Sequence, residues 1–142
     1  MTGTPTILLV EDNFEHLRLT RYILRTQNVP GDVRVVRDGQ EAVDYLYRRN
    51  QYADPASSPL PQLILLDLNI PRIDGKEVLR IIKTDAQLKD IPVIVVSSSD
   101  REEDIRYARE MGATAYISKS GGFDKLSEAL ASVHTLAQKR ES

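Results

Sequence analysis

The chain contains no cysteine and no tryptophan, and only 6% of its 142 residues are aromatic. The absence of cysteine excludes a disulfide-stapled scaffold, a thiolate metal site and a cysteine nucleophile. No sign of charge dominates either, because 19 basic and 21 acidic residues leave a net charge of −2. Such a chain lacks the long-range positive field that attracts nucleic acid, so we expect no DNA partner.

Long apolar runs are also missing. The first run, residues 7–10, is too short for the core of a signal peptide. No stretch approaches the roughly 18 apolar residues that cross a membrane, so we expect no membrane contact and a cytoplasmic location. A length of 142 residues is typical of one domain, and we expect a single domain over residues 1–142.

The apolar residues that are present fall into five short runs, separated by segments with helical periodicity. The runs cover residues 6–10, 32–36, 62–66, 92–96 and 114–118. In the last helical segment, the apolar residues follow steps of three and four along one helix face: Phe123, Leu126, Leu130 and Val133. Strands that alternate with helices predict a parallel sheet covered on both faces. The sequence therefore predicts an α/β fold, a doubly wound (βα)5 three-layer sandwich of the flavodoxin-like type with strand order 2-1-3-4-5.

The runs also differ in polarity. Within the first, third and fourth runs, residues 7–10, 63–66 and 93–96 are continuously apolar, which is typical of central strands, whereas the second run is more polar and fits an edge strand. Residues 48–61 contain three prolines and few apolar residues. They predict a long surface loop, which we interpret as a tolerated insertion. The ends of the chain, residues 1–5 and 139–142, are expected to be frayed.

Polar side chains follow four of the predicted strands, at the end where an α/β sheet binds ligands. Glu11 and Asp12 follow the first strand, and Asp67 follows the third. Ser97 and two further serines follow the fourth, and Lys119 follows the fifth. The strand order reverses between the first and third strands, so the three acids are expected to lie together. Crowded carboxylates repel one another, and Mg²⁺ would offset that repulsion because it prefers oxygen ligands.

Each of these residues also has a simpler interpretation when taken alone. An aspartate at a strand end is usually a turn or N-cap residue, and Asn13 could cap the first helix by itself. The serines could form a polar turn, and Lys119 could be a surface lysine. Their shared position on one rim favours a site instead. A carboxylate beside Mg²⁺ can attack phosphorus, while a lysine and a hydroxyl hold the phosphoryl oxygens.

Five motifs carry a resemblance to a known family. They are ILLVEDN at 7–13, DGQEA at 38–42, LILLDLNIPRIDG at 63–75, IPVIVVSSS at 91–99 and GATAYISK at 112–119. With these motifs the chain resembles the receiver domain of two-component response regulators over about residues 6–137. The resemblance implies a phosphoacceptor switch rather than an enzyme, with a sensor histidine kinase as phosphodonor. It also implies that the chain carries no output domain.

The resemblance assigns roles around the metal at the matching positions. Asp67 is the expected phosphoacceptor and a metal ligand. Asp12 matches the more direct Mg²⁺ ligand, and Glu11 matches the acid that acts on the metal largely through water. Asn69 matches the residue whose backbone carbonyl completes the coordination of Mg²⁺.

Three further positions match the phosphate-binding and switch residues. Ser97 matches the hydroxyl that moves toward the phosphoryl group, and Lys119 matches the lysine that binds it. Tyr116 matches the aromatic residue that turns inward on activation, although alone it fits a half-buried strand tyrosine with its hydroxyl in water. Ser120 departs from the family, which usually has a proline there and often a cis bond before it. The departure leaves open whether the bond before Ser120 is cis or trans.

Within the family, the chain resembles single-domain regulators that partner bacterial phytochrome kinases. The stretches that carry this likeness are residues 66–99, residues 100–105 and the proline-bearing insertion. The likeness implies a phytochrome kinase as partner, an unknown downstream protein and a homodimer. The last predicted helix supports a homodimer, because Ala129 and Leu136 lie beside its stripe and widen the apolar face.

Three alternative functions fit the sequence less well. A phosphatase with aspartate nucleophiles needs a second acid two residues after the first, where Asn69 stands, and usually a cap domain. A flavin site needs a phosphate-cradling loop after the first strand, where Glu11 and Asp12 would repel a phosphate. A degenerate receiver that acts as a phosphorylation-independent adaptor stays open because of Ser120.

Overall fold

The structure, a computed structural model, describes residues 5–27, 31–119 and 124–130 of the 142-residue chain. Five strands alternate with helices. The strands are β1 (Thr6–Val10), β2 (Asp32–Val36), β3 (Leu63–Leu66), β4 (Val93–Ser97) and β5 (Ala115–Ser118). The helices are α1 (Phe14–Thr26), α2 (Gly39–Leu46), α3 (Gly75–Thr84), α4 (Glu102–Glu110) and α5, whose described part covers residues 124–130.

The strands pair in parallel in the order β2-β1-β3-β4-β5, which confirms the predicted flavodoxin-like topology. At the centre of the sheet, Leu8 of β1 lies between Arg34 of β2 and Ile64 of β3. The chain passes from β1 to β2 on one side and continues with β3 on the other, so the strand order reverses between β1 and β3. The carboxyl ends of these two strands are the place where such a fold binds its ligand.

Two apolar layers cover the sheet, because successive residues of a strand point to opposite faces. Leu8 and Val10 pack with residues of α2, α3 and α4, whereas Ile7 and Leu9 pack with residues of α1 and α5. β1, β3 and β4 are buried along their whole length, and β2 is partly exposed. The predicted central strands and the predicted edge strand are thus confirmed.

The described part of α5 tests half of the predicted apolar stripe. Leu126 and Leu130 are buried in the layer that α5 shares with α1, and Ala129 is half-buried beside them. The remaining residues of the stripe and its border lie outside the described residues: Phe123, Val133 and Leu136.

Three strands differ by one residue from their predicted bounds. β3 and β5 begin one residue later, and β4 is shifted by one residue so that it includes Ser97. The prediction that Ser97 follows the strand is therefore wrong by one position, because the backbone of Ser97 pairs with Ser118 of β5. The hydroxyl of Ser97 consequently projects from the last position of a strand rather than from a loop.

Residues 48–61 form the predicted surface loop and are mostly exposed. The loop contains a short 3-10 helix, Asn50–Tyr52. Several contacts fasten it to the domain. Among them, the hydroxyl of Tyr45 donates to the carbonyl of Pro59 at 2.7 Å, and the guanidinium of Arg34 donates to the carbonyl of Ser57 at 3.1 Å. The insertion therefore lies against α2 and the edge strand.

Within the described part of the chain, no helix combines the length and the apolar character that a membrane span requires. The ends predicted to be frayed lie outside the described residues, with the exception of Pro5. The expectation of one domain without an output domain stays a prediction.

Candidate functional site

The turn between β1 and α1 places the first two acids. The side chain of Asn13 accepts a hydrogen bond from the backbone N–H of His16 at 3.0 Å, which caps α1 as predicted. The backbone N–H of Asn13 donates to Oε2 of Glu11 at 3.1 Å. Glu11 is buried and Asp12 is exposed. The cap therefore coexists with an acidic pair and does not replace it.

Asp67 lies at the end of β3, beside the end of β1. Its backbone N–H donates to the carbonyl of Val10 at 3.1 Å, which extends the strand pairing up to the site. Its Oδ1 accepts from the backbone N–H of Asn69 at 2.9 Å, and the residue is 5% exposed. The carboxylate is thus buried at the reversal point of the sheet, where the sequence places it.

Gly75 allows α3 to approach this turn. A Cβ atom at Gly75 would lie 2.3 Å from Cα of Leu68 and 2.6 Å from the carbonyl oxygen of Asp67. The backbone N–H of Gly75 also donates to the carbonyl of Leu68 at 3.0 Å. Only glycine permits this contact without movement of the turn. The sequence reasoning did not single out Gly75, although its place at the start of α3 was visible in the 63–75 motif.

Lys119 lies between the two buried carboxylates. Its Nζ is 2.9 Å from Oε1 of Glu11 and 2.9 Å from Oδ2 of Asp67. Its side chain is only 7% exposed. The simpler interpretation of Lys119 as a surface lysine is therefore wrong, because both carboxylates draw the ammonium into the site.

The charges of the site are incompletely balanced. Burial raises the pKa of Glu11 to about 7, and the negative charge of Asp67 acts in the same direction, while Lys119 opposes both. The ammonium of Lys119 thus pairs with two buried carboxylates, those of Glu11 and Asp67, and Asp12 adds a third acid at the surface. A second positive charge would stabilise this group.

The three acids fit a divalent cation. Glu11, Asp12 and Asp67 each offer a carboxylate oxygen, and these atoms lie within 4.8 Å of one another. Hard cations such as Mg²⁺ prefer oxygen ligands and keep several waters, so two buried acids and one exposed acid suit them. The grouping that the sequence predicts is confirmed, whereas the role of the Asn69 carbonyl stays a prediction.

Asn69 links the acids to the end of β4. Its amide Nδ2 donates to Oγ of Ser98 at 2.9 Å and lies 3.4 Å from Oγ of Ser97. Ser97 is fully buried, and its Oγ accepts from the backbone N–H of Ser99 at 3.1 Å. The structure therefore brings Ser97 to the same rim as Asp67, as predicted, with Asn69 between them.

Tyr116 lies beside the β4–α4 turn and not at the acids. Its ring is half-buried, and its hydroxyl donates to the carbonyl of Ser99 at 2.7 Å. The simpler interpretation, with the hydroxyl in water, is wrong in that respect.

The side chain of Ser99 donates to Asp104, which also pairs with Lys76 of α3. Neither periodicity nor a motif indicated this ion pair between the partly exposed Lys76 and the buried Asp104, because its partners come from two helices.

His16 is a residue of the site that the sequence reasoning missed. Its Nδ1 lies 2.8 Å from Nζ of Lys119. The available signal was its place in the first turn of α1, shortly after the acidic pair. Ser120 lies outside the described residues, so the bond before it is not settled.

A comparison with models of protein families assigns the chain to one family. The family model for the response regulator receiver domain matches residues 7–131. The chain belongs to this family. Receiver domains of response regulators are signalling proteins, and a histidine kinase partner follows from that membership.

Curated and solved relatives agree with the family model. Response regulator Rcp1 of Synechocystis sp. is 41% identical over 114 residues, which are 80% of this receiver domain and 76% of Rcp1. The crystal structure of the Mn²⁺-bound form of Rcp1 matches with a TM-score of 0.80 and 37% identity, and covers 92% of each chain. The phosphorylated cyanobacterial phytochrome response regulator RcpA matches with a TM-score of 0.80 and 42% identity, over 92% of this chain and 91% of RcpA. The resemblance stated from the sequence, including its likeness to phytochrome regulators, is confirmed.

Proposed function

We propose that this receiver domain accepts a phosphoryl group on Asp67. One observation carries the proposal: Asp67 is buried at the reversal point of the sheet, 2.9 Å from the Lys119 ammonium and within 4.8 Å of two further acids. This arrangement suits a nucleophile whose product carries additional negative charge.

The cofactor we propose is Mg²⁺, held by Glu11, Asp12, Asp67 and the backbone carbonyl of Asn69. The acidic cluster supports this proposal, as does the Mn²⁺-bound form of Rcp1. Bound there, the cation would offset the repulsion between the attacking carboxylate and the incoming phosphoryl group. Burial and the negative charge of Asp67 raise the pKa of Glu11, so a second positive charge would favour its ionised form.

Phosphoryl transfer would form an acyl phosphate on Asp67. A carboxylate oxygen of Asp67 forms a bond to phosphorus. At the same time, the bond between phosphorus and the histidine nitrogen of the kinase breaks, and that nitrogen keeps the electron pair. Lys119 is placed to hold one phosphoryl oxygen as a point charge. Ser97 is placed to donate its hydroxyl to another, and Tyr116 would follow the movement of the β4–α4 turn.

The partner we propose is a phytochrome histidine kinase in the cytoplasm. The likeness to Rcp1 and to the phytochrome response regulator RcpA supports this choice. The signal would leave the domain through protein contacts rather than through catalysis. A matched measurement is phosphotransfer from an autophosphorylated phytochrome kinase and from an unrelated kinase, with faster transfer expected from the former.

We also propose that the domain pairs with a second copy through α4, β5 and α5. An open groove of about 710 Å³ lies on this face, lined by Ile105, Arg109, Tyr116 and Ala129 among others. Light scattering on the untreated and phosphorylated protein tests this, and we expect a dimer that phosphorylation tightens. A mass of 16.0 kDa in both states at hundreds of micromolar would exclude it.

Intact-mass spectrometry tests the phosphoacceptor directly. The protein is incubated with Mg²⁺ and acetyl phosphate, and one added phosphoryl group, removed by hydroxylamine, is expected. Asp67→Asn should abolish the label, whereas Asp54→Asn, a change in the exposed loop, should keep it. Labelling that survives Asp67→Asn would overturn the assignment. No labelling of the unmodified protein would favour the phosphorylation-independent adaptor.

A further inference from the structure

The ammonium of Lys119 has three acceptors, one for each of its protons. Two are the carboxylate oxygens of Glu11 and Asp67, each at 2.9 Å, and the third is Nδ1 of His16 at 2.8 Å. An ammonium group can only donate hydrogen bonds. Nδ1 of His16 must therefore be unprotonated in this contact, and the proton of the ring is carried by Nε2.

The surroundings of His16 agree with a neutral ring. Burial lowers the pKa of His16, and the positive charge of Lys119 lowers it further. The backbone of His16 is fixed, because its N–H donates to the side chain of Asn13 at the start of α1. Its side chain is 34% exposed, so one edge of the ring reaches Lys119 while another remains at the surface. The contact joins the first turn of α1 to the end of β5.

The three acceptors differ in chemistry. The two carboxylates belong to the acidic group that fits a cation, and Asp67 is also the proposed phosphoacceptor. Both carboxylates therefore bind other partners during phosphorylation. The imidazole nitrogen binds neither of these partners, because a hard cation prefers oxygen ligands and a phosphoryl oxygen has no proton to donate to the nitrogen. Of the three contacts that the described residues make with the Lys119 ammonium, the one with His16 stays available throughout.

We propose that His16 is a positioning residue. It holds the Lys119 ammonium at the site while the two carboxylates release that ammonium and bind a cation and a phosphoryl group instead. The inference rests on the proposed role of Asp67. Without His16, Lys119 would be held by the carboxylates alone, and it would have to leave them with no protein acceptor in place. His16 thus acts on phosphoryl transfer through Lys119 and does not itself touch the reacting atoms.

Two variants separate the acceptor from the ring. His16→Phe keeps a ring but removes the acceptor, and His16→Asn keeps an acceptor at a similar reach. With Mg²⁺ and acetyl phosphate, His16→Phe should lower the phosphorylation rate at saturating donor about three- to tenfold, the size of one lost hydrogen bond. The donor concentration at half-maximal rate should change little. His16→Asn should restore the rate to within about twofold, and the neighbouring control Glu15→Gln should leave it unchanged.

A double-mutant cycle shows whether the effect passes through Lys119. In a Lys119→Ala background, His16→Phe should have no further effect on the rate. The rise in melting temperature on addition of Mg²⁺ should be the same in His16→Phe as in the unmodified protein, which also reports that the variant folds. An equal rate loss with and without Lys119, or no loss when Asp67 is still labelled, would overturn the role of His16. Labelling that persists in Asp67→Asn would instead overturn the proposed function.

Discussion

Glu11 and Asp104 are two carboxylates with nearly equal burial and opposite electrostatics. Glu11 is 3% exposed and Asp104 is 4% exposed. The pKa of Glu11 is raised to about 7, whereas the pKa of Asp104 is lowered to about 2. Burial disfavours the charged form of both, but it is the largest cause only of the pKa shift of Glu11, whereas hydrogen bonds from Lys76 and Ser99 are the largest causes of the pKa shift of Asp104.

The donors are distributed unequally. Asp104 accepts from the ammonium of Lys76 and the hydroxyl of Ser99, and from the guanidinium of Arg101 at 3.3 Å. These bonds outweigh the effect of burial. Glu11 has one cationic neighbour at 2.9 Å, which it shares with a second carboxylate.

The comparison separates a structural carboxylate from a functional one. Asp104 ties α3 and the β4–α4 turn to α4, and its charge is already balanced by what surrounds it. Glu11 belongs to a group that stays short of positive charge. This shortage of positive charge destabilises the metal-free protein. It favours function at a site that must bind a cation and then an anion.

Removal of Lys119 should have the largest effect on stability. Lys119→Ala leaves two buried carboxylates without their cation, and we expect a loss of about 3–5 kcal/mol in the free energy of unfolding at pH 7.5. The loss should shrink near pH 5, where Glu11 is protonated. The matched change Lys76→Ala should cost about 1 kcal/mol, because Lys76 is 39% exposed and Asp104 retains other donors. Urea unfolding measures both, and equal losses would contradict the comparison.

The pH dependence of Glu11 should be the next largest effect. Its folded-state pKa is raised from 4.5 to about 7, so the folded state binds more protons between these values. In metal-free buffer the free energy of unfolding should therefore fall by about 2–3 kcal/mol as pH rises through this window. Glu11→Gln should flatten the curve there. A curve that keeps its slope in Glu11→Gln would assign the proton to another group.

Asp104 should show the opposite pH dependence. Its folded-state pKa is lowered from 3.8 to about 2, so its stabilisation is present above pH 3.8 and is lost as pH falls toward 2. Asp104→Asn should cost about 2 kcal/mol at pH 7 and almost nothing at pH 2. Thermal unfolding followed by circular dichroism gives the difference. A loss that is independent of pH would indicate lost packing rather than lost charge.

Addition of Mg²⁺ should give the smallest effect and the most selective one. At about five times its Kd, Mg²⁺ should stabilise the protein by about 1 kcal/mol. Asp12→Ala should abolish the Mg²⁺-induced rise in melting temperature, while Asp104→Asn should preserve it. The proposed site would be wrong if Asp12→Ala retained the full rise.

The sequence predicted those parts of the molecule that follow from strand order. Glu11, Asp12, Asp67 and Lys119 each follow a strand, and the parallel topology brings strand ends to one rim. The burial of β1, β3 and β4 along their whole length was equally accessible, because their sequences are continuously apolar. The prediction that Ser97 follows β4 failed by one residue, since strand ends depend on which backbone groups a neighbour pairs with.

The contacts that could not be predicted join side chains from different helices or loops. The contact of His16 with Lys119 depends on the rotation of α1, which begins at Phe14 after its cap at Asn13. The pair of Lys76 and Asp104 depends on how α3 and α4 lie beside each other. Neither periodicity nor a motif encodes such rotations and distances.

A carboxyl-carbon NMR titration of the metal-free protein tests the central claim most directly, because it follows Glu11 and Asp104 in one sample. We predict midpoints of about 7 for Glu11 and about 2 for Asp104. Mg²⁺ should lower the midpoint of Glu11 and leave that of Asp104 in place. If both carboxyls titrate together near the ordinary value of about 4, or if Mg²⁺ shifts both equally, the site is not short of positive charge and the account is contradicted.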